Sequence, residues 1–167
     1  MDDDAQHWLN KREARAWQGF HQMWAQLNGH LARELAHDSA MTESEYAVLA
    51  TLSEAPGGRL RARDLGRELG WERSRLSHQI RRMEARGSVT RAACDDDGRG
   101  FDITITPVGT TTITAAAPKH LAAVRTNFID LLTDDQLDTL AEIGDVVAEH
   151  LRSTYADPAS AKHSDDC

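Results

Sequence analysis

Along the first forty positions, apolar residues fall at Trp17, Phe20, Trp24, Leu27 and Leu31, in steps of three, four, three and four. This is one face of an α-helix, predicted from Trp8 to about Leu35. Thr42 and Glu45 make a capping box that opens a second helix through Tyr46, Leu49, Ala50 and Leu52. Pro56-Gly57-Gly58 ends it, and Leu60 sits in a very short extended piece. A third helix starts at Arg63 or Asp64, carries Leu65 and Leu69, and stops at Gly70. Trp71 bridges a turn to a fourth helix, from about Glu72 to Arg86, with Gly87 as its C-terminal stop. Two alternating β-branched stretches, Ser88–Ala93 and Phe101–Thr106, flank an Asp97-Gly98 turn signal and read as a hairpin. Thr106 caps a fifth helix with Pro107 in its first turn. This helix runs toward Asp130, and Pro118 should kink or interrupt it. Thr133 and Gln136 form another capping box, before a last helix with Leu137, Leu140, Ile143, Val147 and Leu151 at helical spacing.

The predicted fold is mainly α with a small β-hairpin wing. Three compact helices followed by a hairpin make a winged helix-turn-helix, with long helices before and after it in sequence. The apolar stripes of those outer helices exceed what one small lobe can cover.

Charge sharpens the picture. The chain of 167 residues carries a net charge of -8, which taken globally argues against a polyanionic partner. Yet residues 59–91 hold ten arginines and four acids, +6 locally, leaving -14 elsewhere. A basic working surface on an acidic body is the implication. No apolar run is long enough to span a membrane. The start, Met1-Asp2-Asp3-Asp4, lacks the basic and apolar segments of a secretory signal. Two cysteines, Cys94 and Cys167, make no disulfide framework. A cytoplasmic location is expected.

On a helical wheel the fourth helix places Leu76, Ile80 and Met83 together as a core seam. The other side carries Ser74, His78, Arg81, Arg82 and Ala85, flanked by Arg75 and Ser77. Recognition helices contact base edges chiefly through N-terminal residues, which nominates Ser74, Arg75, Ser77 and His78 for bases. Arg81 and Arg82, further along, suit phosphates. At the wing tip, Arg99 suits a narrow minor groove. The partner is then double-stranded DNA.

These residues resemble the MarR family of winged-helix transcriptional regulators over about Ala14 to Leu151. Three stretches carry the resemblance: Met41-Thr42 with Glu45-Tyr46 and Val48-Leu49; Leu65 through His78; and Asp97-Gly98-Arg99-Gly100 leading into Ile105-Thr106-Pro107-Val108-Gly109. The resemblance implies a homodimer on a pseudo-palindromic operator. It implies repression relieved by a small phenolic or other lipophilic ligand, bound between the dimer helices and the DNA-binding lobe. The implied division is 1–40, an N-terminal helix within the dimerisation region; 41–107, the DNA-binding lobe; 108–153, C-terminal dimerisation helices; and 154–167, a disordered tail. Gly66 departs from the alanine more usual in the family, and suits close packing of the third helix on the fourth.

Trp17, His21 and Trp24 are neighbours on the first helix and are the candidates for an aromatic ligand pocket, against the reading of tryptophans as core and His21 as a partly buried, satisfied histidine. Cys94 beside arginines is a candidate redox-sensing thiol, against a plain strand-end residue. Redox-sensing members of the family usually carry that cysteine in the first helix, and here it has none. His21, His30 and His37 are spaced nine and seven apart, which is not a metal-ligand spacing, so no metal or cofactor is expected. No GxSxG, HExxH, phosphate-binding glycine loop or paired-cysteine site is present, which argues against an enzyme. The rival to DNA binding is a winged-helix module that binds protein.

Overall fold

The computed structural model describes residues 8–93 and 100–155, in two units divided between Val124 and Arg125. The first helix, α1 (Lys11–Ser39), starts three residues later than the apolar stripe suggests. The Asn10 side chain accepts from the Arg12 and Glu13 N–H groups, and Glu13 accepts the Asn10 N–H in return. That box fixes the start, so Trp8 lies before the helix and is exposed.

Helix α2 (Glu43–Glu54) begins at the predicted box, and its buried Val48, Leu49 and Leu52 form the centre of the core. A 3-10 turn at Pro56–Gly58 leads into β1 (Arg59–Arg61). Helix α3 (Ala62–Leu69) follows directly, opening one residue before Arg63 because the strand ends at Arg61. Gly70 closes it in the left-handed conformation, φ 61°, and α4 (Arg73–Ala85) comes next. Strands β2 (Val89–Ala93) and β3 (Phe101–Ile105) form the wing. The short extended piece is no isolated strand. It pairs with β3, giving the order β1-β3-β2 with Leu60 opposite Ile103.

Leu65, Ile80, Met83, Val89 and Ile103 join the α2 residues in one buried cluster. Each such side chain contributes roughly 1.5–3 kcal/mol by leaving water. Glu45 lies among them, only 5% exposed. One of its oxygens accepts from the Thr42 backbone N–H and hydroxyl, at 2.9 and 2.8 Å, and the other from the Arg86 guanidinium. A local helix cap thereby becomes a tie between the start of α2 and the end of α4.

Helix α5 (Pro107–Asn127) starts on Thr106, whose hydroxyl accepts the Gly109 N–H at 3.0 Å and donates to the Gly87 carbonyl at 2.7 Å. Gly109 has no substitute, since a methyl there would overlap the Ser88 carbonyl oxygen. Of the kink or interruption expected at Pro118, the interruption does not occur, and the helix continues through it. A proline removes a single N–H donor, a loss that a helix this long survives. The Tyr46 and His120 rings lie 4.2 Å apart. Burial holds the His120 pKa below its ordinary value, opposed by Glu43, and burial with Glu54 raises that of Tyr46.

The second unit begins with the end of α5 and a 3-10 turn at Ile129–Leu131. Thr133 and Gln136 form their capping box, and α6 (Asp134–Tyr155) follows. The helix thus reaches past residue 153, the predicted end of the ordered region. Leu137 and Leu140 are half-buried; Ile143, Val146, Val147 and Leu151 are exposed.

Candidate nucleic-acid interface

Helix α4 is anchored by its seam. Leu76, Ile80 and Met83 are buried, as the wheel predicts, and this turns the opposite face outward. Ser74, Arg75, His78, Arg81 and Arg82 are all exposed on it. Ser77, nominated with them, is half-buried and faces a cavity beside the wing strands.

The arginines of residues 59–91 divide by what neutralises them. Arg59 pairs with Asp102, Arg63 and Arg67 with Asp64, Arg86 with Glu45, and Arg91 with Glu84. Arg73, Arg75, Arg81 and Arg82 have no carboxylate partner among the described residues. All four belong to α4. Glu72 is the N-cap of α4 but its carboxylate makes no cap hydrogen bond, and the first turn after it holds no acid, so the N–H groups at the helix start are left open beside Arg73 and Arg75. This surface is suited to phosphate and base edges.

Three features escaped the sequence reading. The Trp71 indole lies under Arg75, with the guanidinium carbon 4.3 Å from the ring centroid. The signal was available: the two residues stand four apart across the start of α4. Gln79 is buried in α4, 7% exposed, and its amide nitrogen has no hydrogen-bond partner among the described residues. A cavity of about 650 Å³ lies between α3, α4 and the wing strands, floored by Trp71, Leu76, Ile80, Phe101 and Ile103. Arg61, Arg63, Arg67, Arg73 and Arg91 stand around it. Only the three-dimensional pairing of β1 with β3 brings these residues together.

Gly66 is buried, and a methyl on it would stand 3.3 Å from the Trp71 carbonyl oxygen and 3.5 Å from Leu76. The close approach of α3 to the start of α4 is the one its glycine suggested. Trp17, His21 and Trp24 are exposed on α1, both tryptophans by 57%, with the His21 ring 6.0 Å from that of Trp17. Arg99 and Cys94 lie outside the described residues. Among the described residues no group of three histidine, cysteine or acidic side chains is arranged to hold a metal ion, and no helix is long and apolar enough to cross a membrane.

The model of the MarR family matches residues 41–100, which contain α2, α3, α4 and the start of the wing. Among solved structures, AbsC, a MarR family transcriptional regulator from Streptomyces coelicolor, is 37% identical, with a TM-score of 0.82, over 88% of this chain and 99% of that one. Sco3205, another MarR family regulator from Streptomyces coelicolor, solved in complex with DNA, is 37% identical over 87% of this chain and 91% of its own, with a TM-score of 0.83. CouR from Rhodococcus jostii RHA1, bound to p-coumaroyl-CoA, shares the fold at 19% identity, with a TM-score of 0.67 over 77% of this chain and 87% of that one. No curated protein matches the sequence. Identity of this degree along nearly the whole of AbsC leaves one assignment: the chain belongs to the MarR family of transcriptional regulators.

Proposed function

We propose that this protein is a homodimeric repressor that binds a pseudo-palindromic DNA operator through α4 and the wing and releases it on binding a small aromatic or lipophilic ligand. The carrying observation is the set of four α4 arginines without a carboxylate partner among the described residues, within a +6 stretch of a chain that carries -14 elsewhere. The DNA complex of Sco3205, 37% identical, supports the same use of the fold here. Ser74, Arg75, Ser77 and His78 read bases, Arg81 and Arg82 hold phosphates, and Arg99 enters the minor groove. Residues 41–107 are the DNA-binding lobe.

The dimer rests on exposed apolar side chains. Trp17, Phe20, Met23 and Trp24 stand out from α1, and Ile143, Val146, Val147 and Leu151 from α6. Uncovered aromatic and aliphatic stripes of this kind are covered by a second subunit in an oligomer. Residues 1–40 and 108–153 form the dimerisation region in this reading. The ligand site in this reading involves α1, where Trp17, His21 and Trp24 supply aromatic faces and a polar anchor.

The test is to select an operator from random duplex DNA and titrate its binding with salt. Affinity should fall about 10³–10⁵-fold between roughly 50 and 200 mM salt if six to ten phosphates are held. Arg82→Ala should flatten the log–log slope by about one and leave the selected sequence unchanged. Binding indifferent to salt, or no sequence recovered by selection, would overturn the reading in favour of a protein-binding winged helix.

A further inference from the structure

The turn before α4 is built more rigidly than a connector requires. The Trp71 N–H donates to the Gly66 carbonyl at 2.8 Å, and Gly70 donates to the Arg67 carbonyl. The missing side chain of Gly66 lets the Trp71 carbonyl settle against α3. One residue later Glu72 stands as the N-cap of α4, its carbonyl accepting the Leu76 N–H. The indole is itself half-buried and packs on the apolar core. Backbone and ring are both held, so the exposed part of the ring is a fixed platform. Over it lies the Arg75 guanidinium, 4.3 Å from the centroid, on an otherwise exposed side chain with no carboxylate partner among the described residues.

We infer that Trp71 is a positioning residue for base recognition: its indole holds the Arg75 guanidinium in the plane and direction from which it reads a base. The inference rests on the reading of α4 as the groove-entering helix. An exposed arginine samples many rotamers, and bidentate contact with a guanine edge requires one plane. A stack on a ring supplies that plane before DNA arrives. Tryptophan gives the strongest attraction to a cation of the aromatic side chains, through the charge distribution of its π-face. Arginine, planar and weakly hydrated, stacks on the ring while leaving its edge donors free for a base. The stack uses the face of the guanidinium and the base uses its edge, so the two contacts do not compete.

The experiment measures binding to single-base variants of the selected operator by four proteins: wild type, Trp71→Phe, Trp71→Leu and Arg75→Ala. The double variant Trp71→Leu/Arg75→Ala closes the cycle. Arg75→Ala should flatten the preference at one base pair per half-site. Trp71→Leu should lose about tenfold of discrimination at that same base pair, Trp71→Phe less, and the double variant no more than Arg75→Ala alone. The salt slope should stay at the wild-type value in both Trp71 variants, because the guanidinium charge remains. In the free proteins, the Arg75 side-chain proton resonances should lose their ring-current shift in Trp71→Leu and keep part of it in Trp71→Phe. That measurement stands if the leucine variant binds DNA poorly for want of stability.

If Arg75→Ala alters one base preference and Trp71→Leu does not, the positioning role falls and the groove reading stands. If Arg75→Ala alters none, Arg75 reads no base and the positioning role falls with it, while the groove reading of α4 falls only if binding is indifferent to salt or no operator is selected. Equal weakening at every base pair, tracking a lowered melting temperature, marks Trp71 as merely structural and overturns the inference. Sharper discrimination in Trp71→Leu overturns it too, since the stack would then be holding Arg75 away from the base.

Discussion

Helices α1 and α4 are both amphipathic, and their apolar faces meet different ends. The seam of α4, Leu76 with Ile80 and Met83, is sealed by α2 and the wing within one chain. The stripe of α1 divides along its length. Leu35 is buried and Leu31 and Leu27 are half-buried, while Trp24, Phe20 and Trp17 stand exposed. A periodic pattern specifies which face must be covered and is silent about what covers it. The two helices show both answers: one face closed by neighbours in sequence, the other open at its N-terminal half.

The largest effect expected from breaking this contrast comes from the open face. Trp17→Glu with Trp24→Glu should convert the proposed dimer to monomer and lower operator affinity by about 10²–10⁴-fold, because two half-site contacts no longer act together. Sedimentation and operator binding measure it, and an unchanged mass would remove the stripe from the interface. The closed face should respond through folding. Met83→Ala removes a fully buried side chain and should cost about 2–5 kcal/mol in denaturant unfolding while the subunit count stays unchanged.

Glu45→Ala should come next, at about 1.5–3 kcal/mol, since it removes a carboxylate holding Thr42 and Arg86 together. Combined with Arg86→Ala it should add little, and additive losses would mean the two residues are uncoupled. The smallest effect concerns pH. Burial depresses the His120 pKa below 6.5 in the folded chain, so the unfolded chain takes up the proton first on acidification. The associated stability is present above pH 6.5 and declines as pH falls through the folded value. His120→Gln should flatten that decline between pH 7.5 and 5.5, as read by unfolding curves. A decline as steep as in wild type would assign it to other groups.

The sequence made the helices legible where local chemistry fixes them. The Thr42 and Thr133 boxes, the Gly70 stop and the Thr106 cap depend on residues three or four apart, and all are present. The missed start of α1 was local too: Asn10 with Glu13 is a capping box, but the apolar stripe drew the boundary back to Trp8. What was not legible depends on distant partners. Pairing of β1 with β3 joins Leu60 to Ile103, and no periodicity announces it. The wheel of α4 separated the exposed arginines from the seam correctly, yet could not tell neutralised arginines from free ones. Arg86 stands in the same arginine-rich run as Arg81 and Arg82, and only the fold brings Glu45 to it.

That carboxylate also constrains the order in which this sequence can change over generations. Glu45 serves Thr42 three residues before it and Arg86 forty-one residues after it. A lineage that lost Arg86 first would pass through a form with a buried acid lacking its cation, and selection would meet that form before any compensating change arose. Neutralising position 45 first avoids the buried charge, leaving a half-exposed arginine to water. The route to a different residue at 86 therefore opens through 45. The two positions should vary as a pair, across a separation that a reader of local motifs would never join.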